Sequence, residues 1–389
     1  MFYSHDAQGL GHIRRNLNIA NSLVEAGLDV TVLLVCGSRK VSGFQVGRSI
    51  DTLILPALSK HTDGAYRPRS LGIDHSQLLE FRRQTILAAA QSFKPDILIV
   101  DKQPLGFQGE LLPALELVRK RGGRSILGLR DIIDTPEVAR AEWEQAGGDD
   151  AVLALYDSIW IYGDRSVYDL TKDYRFSDAL RLKTWFTGYL NPLDLMASAT
   201  SAKAEIPESP RKGQPRNVLC LVGGGQDGYQ LSNLFLKSDL GKNQRGILVT
   251  GPYMSENHRF KLAEKARKRG DFQVHTFFPS LLPLMRKADL VVSLGGYNTV
   301  CELLALGIPS LIIPRIVPRQ EQLIRAQLFQ ELGLLSWIHP ESVTREAIST
   351  WVQQKDHRQP NPASTINFSG FATVRRQVLA QLPSTLTQP

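Results

Sequence analysis

The chain has 389 residues, 42% hydrophobic and 22% charged, which excludes a disordered or fibrous protein and leaves room for two cores of ordinary size. The net charge of +8 is uneven: residues 1 to 190 are balanced and the whole excess falls after residue 190, which suits an anionic small ligand or a peripheral contact with an anionic membrane surface. No basic, apolar signal pattern opens the sequence and no window holds 18 apolar residues, so a cytoplasmic protein without a membrane span is expected.

Phe2 to Ser4 reads as a short strand, followed by Asp6-Ala-Gln-Gly9-Leu-Gly11-His12-Ile-Arg14-Arg15 and a helix expected from about Arg14, with helical spacing at Leu17, Ala20, Leu23 and Val24. A glycine turn between a strand and a helix lies at the carboxyl edge of a parallel sheet, where ligands bind. There the helix N-terminus disfavours an imidazolium, so His12 is expected neutral and able to take a proton, as a general base must. The alternative is that His12 caps the loop and Gly9 and Gly11 only make the turn. Asp29 to Val35, which leads up to Cys36, Thr52 to Leu55, Asp96 to Asp101, Arg124 to Leu129 and Ser158 to Tyr162 are strand-like. Asp101 ends its strand at the same edge and could fix the tautomer of His12; otherwise it caps a turn or pairs with Lys102 or Arg130. His5 and Asp6 are weaker candidates for these tasks.

Asn191 to Pro215 is rich in Pro, Ser, Thr and Ala and reads as a linker and hinge between domains 1–190 and 216–389. A second series of strands and helices then begins at Asn217 to Val222 and continues through Gly246 to Thr250, Gln273 to Phe277, Leu290 to Leu294, Ser310 to Ile313 and Leu334 to Ile338. Because these strands are apolar throughout instead of alternating, both faces of each sheet should be covered, giving two doubly wound α/β domains. Gly223-Gly224-Gly225-Gln-Asp227-Gly228 follows a strand and satisfies the dinucleotide fingerprint, but the next strand ends in Thr250-Gly251-Pro252 and offers no carboxylate for a ribose. Nicotinamide binding is therefore not expected, and the loop suits a phosphate-facing or hinge-lining role. The basic run from Arg259 to Arg269 reads as a solvated helix face, so no nucleic-acid partner is expected. Cys36, Cys220 and Cys301 show no disulfide or metal spacing and read as small core residues.

Ala288 to Gln322 carries the strongest signal. The strand Leu290 to Leu294 runs into Gly295 and Gly296, and Asn298, Thr299 and Glu302 open a helix whose N–H groups favour an anion. Thr299 could approach a phosphate while Glu302, one turn on, accepts both hydrogens of a ribose diol; the alternative is a capping box, T-x-x-E. Gln320, Glu321 and Gln322, beyond the proline-bracketed Pro314 to Arg319, suit sugar hydroxyls or an ordinary polar helix start. The last helical pattern, Ala372 to Leu382, is free to pack on either domain.

Ala288 to Pro309 together with Arg319-Gln-Glu-Gln-Leu-Ile-Arg-Ala326 resembles the donor-binding signature of glycosyltransferase family 28, the family of the peptidoglycan N-acetylglucosaminyltransferase. Gly9-Leu-Gly-His-Ile-Arg-Arg15 and Pro95 to Lys102 resemble a group of uncharacterised bacterial glycosyltransferases. The resemblance implies a GT-B fold, two Rossmann-like domains facing across a cleft, and inverting, metal-independent transfer from a nucleotide diphosphate sugar. A UDP-sugar is favoured as co-substrate, no cofactor is implied, and the acceptor is a small molecule, a lipid-linked sugar or a glycan. It further implies that Glu302 holds the ribose, Thr299 and Gly296 approach the diphosphate, Glu321 and Gln322 reach the donor sugar, and the base lies near Phe277 and Phe278. His12 faces the acceptor, with Gly9, Gly11, Arg14 and Arg15 on the acceptor side. A nucleotide-sugar hydrolase or 2-epimerase, or a non-enzymatic nucleotide-sugar sensor, would present the same donor pocket.

Overall fold

The computed structural model describes residues 1–5, 10–44, 46–60, 66–195 and 215–382. Its strands are β1 (Phe2–Ser4), β2 (Val32–Cys36), β3 (Ile50–Ile54), β4 (Leu58–Lys60), β5 (Tyr66–Pro68), β6 (Ile97–Asp101), β7 (Arg124–Arg130), β8 (Ser158–Tyr162), β9 (Thr184–Phe186), β10 (Arg216–Leu221), β11 (Gln244–Val249), β12 (Phe272–His275), β13 (Leu290–Ser293), β14 (Ser310–Ile312) and β15 (Ser336–Trp337). The helices are α1 (Gly11–Glu25), α2 (His75–Phe93), α3 (Leu112–Lys120), α4 (Pro136–Gln145), α5 (Gly148–Leu155), α6 (Leu170–Asp173), α7 (Asp178–Leu182), α8 (Tyr229–Lys237), α9 (Glu256–Arg269), α10 (Leu282–Met285), α11 (Tyr297–Leu306), α12 (Glu321–Glu331), α13 (Arg345–Val352), α14 (Pro362–Thr365) and α15 (Gly370–Gln381). They fall into two compact units, Met1–Ala199 with Asn367–Pro389, and Thr200–Ile366. Most of the expected linker, along with Asp6 and Gly9, lies outside the described residues.

In the first unit seven parallel strands run in the order β3-β2-β1-β6-β7-β8-β9, and β4 and β5 pair as a separate antiparallel hairpin. Apolar strands need cover on both faces, and Tyr3, Leu98, Val100, Leu127 and Ile159 pack with Ile86 of α2 and Leu115 of α3 in one core. The chain departs from β1 to β2 and β3 on one side and then returns to β6 on the other, so the strand order reverses between β1 and β6. At such a point neighbouring loops diverge and leave a crevice at the carboxyl edge. The register sets Phe2 beside Ile99 and Tyr3 beside Val100, so β1 and β6 end at one level.

The second unit repeats the plan with six parallel strands in the order β12-β11-β10-β13-β14-β15. Val218, Cys220, Leu248, Val292 and Leu311 form its core with Phe235, Leu262 and Ile348. Here the reversal falls between β10 and β13, and Leu221 lies opposite Ser293 in register. The Gly223 loop and the Gly295 turn therefore leave adjacent strands at one edge.

The strands fall close to the apolar runs, but α1 begins at Gly11, three residues before the expected start at Arg14. Gly11 has nothing within 4 Å of where a side chain would sit, so it is tolerated as the first helical residue. The last helix, α15, packs against α1 in the first unit. Cys36, Cys220 and Cys301 are buried and not disulfide-bonded, and burial pushes the Cys220 thiol up. Among the described residues no helix is long and apolar enough to cross a membrane.

Candidate active site

In the first unit the reversal between β1 and β6 brings the predicted pair together. His12 is the second residue of α1, and its Nδ1 lies 3.2 Å from Oδ1 of Asp101, the last residue of β6. Asp101 is buried, and its carboxylate also takes both oxygens to Arg15 Nη2 at 2.5 Å. Arg15 lies one helical turn from His12, with the same Nη2 3.1 Å from the imidazole Nδ1. Arg15, expected on the acceptor side, is only 1% exposed and is the counterion of Asp101. Arg14 is half-buried beside it. Lys102, an alternative partner for Asp101, places its ammonium 3.9 Å from Glu142.

The charges define the tautomer. The Arg15 cation, with help from His12, holds the Asp101 carboxyl well below the usual carboxylate range despite its burial. A permanent anion facing Nδ1 accepts a hydrogen bond from Nδ1–H, which keeps the proton on Nδ1 and leaves the lone pair on Nε2. Burial holds the His12 pKa below its ordinary 6.5, Asp101 pulls it back up, and Arg15 and Arg130 push it down again. The ring is therefore neutral at pH 7. Tyr162, at the end of β8, extends the cluster: its ring lies 5.8 Å from the Arg15 guanidinium carbon. Gly128 gives it room, because a Cβ there would come within 3.0 Å of the phenol carbons. His5 stands at the end of β1, stacked on Phe107 at 4.6 Å, with its pKa lowered to about 3 chiefly by burial. Its ring nitrogens are enclosed, which removes it as a rival base.

In the second unit α11 begins at Tyr297 with Gly296 as its N-cap and no side-chain cap. Thr299 is therefore the third helical residue, and the T-x-x-E capping box does not form. Gly296 has an ordinary φ of −64° and open space where a Cβ would stand, so neither backbone nor packing requires glycine there. What its bareness leaves accessible is the positive end of α11, where Asn298 and Thr299 sit half-buried. Glu302, one turn on, is buried. Gly295, by contrast, is packed: a Cβ would meet Ile312 at 3.1 Å and Gln322 at 3.3 Å, and its carbonyl accepts from buried Arg325 at 3.1 Å.

The other predicted donor residues border the same edge. Gly225 has a φ of +92°, and any Cβ would overlap the Thr250 carbonyl and come within 3.1 Å of Met254 N, so its glycine is structural. Gly224 accepts from Tyr253 N through its carbonyl at 2.8 Å, joining the loops that leave β10 and β11. Gln320 is the exposed N-cap of α12. Gln322 is buried and uses Oε1 to accept from Arg315 N at 3.0 Å, while buried Glu321 lies 3.3 Å from the Arg315 guanidinium. Phe277 and Phe278 follow β12 half-exposed, with the Phe278 ring 5.2 Å from that of His275. Sequence reasoning missed Arg15 as counterion, Tyr162 and Arg315; only the His12–Arg15 spacing of three carried a signal. Among the described residues no group of three or more His, Cys, Asp or Glu side chains is arranged to hold a metal ion.

Residues 218–374 match the model of the glycosyltransferase family 28 C-terminal domain. An UDP-N-acetylglucosamine–N-acetylmuramyl-(pentapeptide) pyrophosphoryl-undecaprenol N-acetylglucosamine transferase of Shouchella clausii is 37% identical over 89 residues, 22% of this chain and 25% of that protein. The chain thus matches about a quarter of that relative's length. An uncharacterized glycosyltransferase of Methanosarcina mazei is 24% identical over 379 residues, 90% of this chain and 89% of its own. Among solved structures, the calicheamicin glycosyltransferase CalG4 superposes with a TM-score of 0.59 at 14% identity, covering 98% of this chain and 97% of that one. A Listeria monocytogenes protein assigned as a UDP-N-acetylglucosamine 2-epimerase gives 0.60 at 12% identity, covering 100% and 97%. The two parallel α/β sheets and the solved structures they match show the GT-B fold, and residues 218–374 match the family 28 C-terminal domain.

Proposed function

We propose that the chain transfers a sugar from a nucleotide diphosphate sugar, a UDP-sugar favoured, to an acceptor hydroxyl, with inversion and without a metal. The second unit binds the donor and the first supplies the acceptor side and the base. The observation that carries this reading is Gly296: a glycine that the fold does not need, standing before the uncapped start of α11 in the family 28 domain, with the buried carboxylate of Glu302 one turn behind. Such a helix start suits a diphosphate and such a carboxylate a ribose diol.

In this reading Nε2 of His12 takes the proton of the acceptor hydroxyl as its oxygen attacks the anomeric carbon. The bond from that carbon to the diphosphate oxygen breaks, and the nucleoside diphosphate leaves with the electron pair. Asp101 stabilises the imidazolium through Nδ1, and the N–H groups opening α11 stabilise charge on the leaving diphosphate. Gln322 and Glu321 face the donor sugar. Single displacement predicts one anomer, opposite in configuration to the donor, which proton NMR of the first product formed reads directly.

A thermal-shift panel of UDP, GDP, CDP and dTDP tests the donor half. A ligand at a hundred times its Kd stabilises by about 2.7 kcal/mol. One nucleotide should do so for the native protein and lose the effect in Glu302→Ala. Stabilisation that survives the substitution would remove Glu302 from the ribose. Incubation with donor alone separates transfer from hydrolysis or epimerisation, since free sugar or epimer at catalytic rates is the mark of the latter.

A further inference from the structure

Arg315 follows β14 and its side chain is one-third exposed. Its Nη1 lies 3.3 Å from Asp227 Oδ2 and its Nη2 3.3 Å from Glu321 Oε1. Asp227 belongs to the glycine loop that leaves β10, while Arg315 belongs to the loop that leaves β14, and β13 lies between those strands in the sheet. The ion pair therefore spans the exit of β13, where Gly295 and Gly296 lead into α11. Its root is fixed, because Arg315 N donates to Gln322 Oε1 at 3.0 Å. Its tip is loosely held. Buried pairs in this protein close to 2.5 Å for Arg15–Asp101 and 2.6 Å for Arg82–Glu110, whereas both contacts of Arg315 are 3.3 Å. Asp227 is more than half exposed, and the Nε of Arg315 is enclosed with no hydrogen-bond partner among the described residues. An exposed pair of this length contributes little to stability and yields to a stronger anion.

We propose that Arg315 is a latch for the donor diphosphate, closed on Asp227 when the site is empty and turned onto the phosphates when a nucleoside diphosphate binds; this rests on the donor reading above. The chemistry favours the exchange. A guanidinium recognises phosphate oxygens bidentately, and the helix start alone offers only about half a positive charge to a ligand carrying at least two negative ones. Asp227, Glu321 and Glu302 supply carboxylates to the same edge, so an anionic ligand needs a cation that can leave one of them. Asp227 acts as an internal competitor: it lowers affinity for the diphosphate and recaptures Arg315 as the product departs.

A latch and a structural strap predict opposite signs. Calorimetric titration of the full chain uses whichever of UDP, GDP, CDP or dTDP the native protein binds, alongside the matching nucleoside. Arg315→Gln should weaken the diphosphate at least tenfold and leave the nucleoside unchanged. Asp227→Asn should tighten the diphosphate severalfold, and the same substitution in an Arg315→Gln background should do nothing. If Asp227→Asn weakens binding as Arg315→Gln does, or changes nothing, or if Arg315→Gln weakens the nucleoside equally, the latch is overturned while the donor site stands. If the native chain binds none of the four nucleotides, the donor reading falls and takes the latch with it. Asp227 is exposed, so its variant remains a folded test should Arg315→Gln fail to fold.

Discussion

The chemistry proposed for His12 depends on titratable and charged groups that converge on it from four strands and from α1. Asp101 stands at the end of β6, Arg130 at the end of β7, His5 beyond β1, and Arg15 one turn along α1, with Tyr162 at the end of β8 and Lys102 beside Asp101. A base must be unprotonated, so activity is present above the pKa of His12 and is lost as pH falls through it. Because burial, Arg15 and Arg130 outweigh Asp101, that limb of the kcat/KM profile should lie below 6.5. Arg15→Met removes one of the lowering cations and should move the limb upward, while Arg15→Lys, which keeps a cation, should leave it in place. An unmoved limb in Arg15→Met would reduce Arg15 to a buried counterion. His12→Ala should cost about 10²- to 10⁴-fold in kcat/KM whatever the pH. His12 and Asp101 were legible because each ends or follows a strand at the edge where ligands bind. Arg15 was not, because a sequence states charge but not burial, and two adjacent arginines after a loop read naturally as exposed.

At the scale of elements the two glycine turns of the second unit make a controlled comparison. Gly225 sits at a φ of +92° against the Thr250 carbonyl, whereas Gly296 has an unstrained backbone and empty space around its missing Cβ. Gly225→Ala should therefore lower the melting temperature, since a left-handed residue with a steric overlap costs on the order of 1–3 kcal/mol. Gly296→Val should leave melting nearly unchanged and instead abolish stabilisation by the preferred nucleotide, because the added methyls stand before the start of α11. Equal melting losses from both substitutions would make Gly296 structural and remove the chief support for the donor site there. The turn was visible in sequence as Gly-Gly between an apolar run and a polar helix start. The capping-box alternative does not hold, and sequence could not decide it because T-x-x-E carries no mark of where a helix begins; Gly296, three residues before Thr299, takes the cap. The short β9, with one exposed and two half-buried residues, and the β4–β5 hairpin went unseen, since neither has a buried apolar run to announce it.

The whole molecule poses a question at its C-terminal end, where the matched domain and the packing disagree. The family 28 match runs to residue 374, but from Asn367 onward the chain belongs to the first unit. Tyr189 N donates to Asn367 O at 2.8 Å, Asn367 N donates to Asp164 Oδ2 at 2.7 Å, and Gly370 lies so close to Tyr189 that a Cβ would reach its carbonyl oxygen at 2.5 Å. α15 then covers α1, with Phe371, Val374 and Val378 buried. Its amphipathic pattern announced a covered face without saying what covered it, since periodicity records burial and not the neighbour. Burying each such side chain contributes about 1.5–3 kcal/mol. Their sum is comparable with the stability of a domain, about 5–15 kcal/mol. A chain ending at Ile366 should therefore lose the cooperative melting of its first unit, and α1, which carries His12 and Arg15, should become open to proteolysis. The second unit should still melt cooperatively and still be stabilised by the preferred nucleotide, because no residue proposed for the donor lies beyond Gln322. Calorimetry of the shortened chain with and without that nucleotide separates the two events. If the first transition persists intact, α15 is dispensable cover; if the nucleotide effect disappears along with it, the donor site depends on the first unit and the division of labour between the units is wrong.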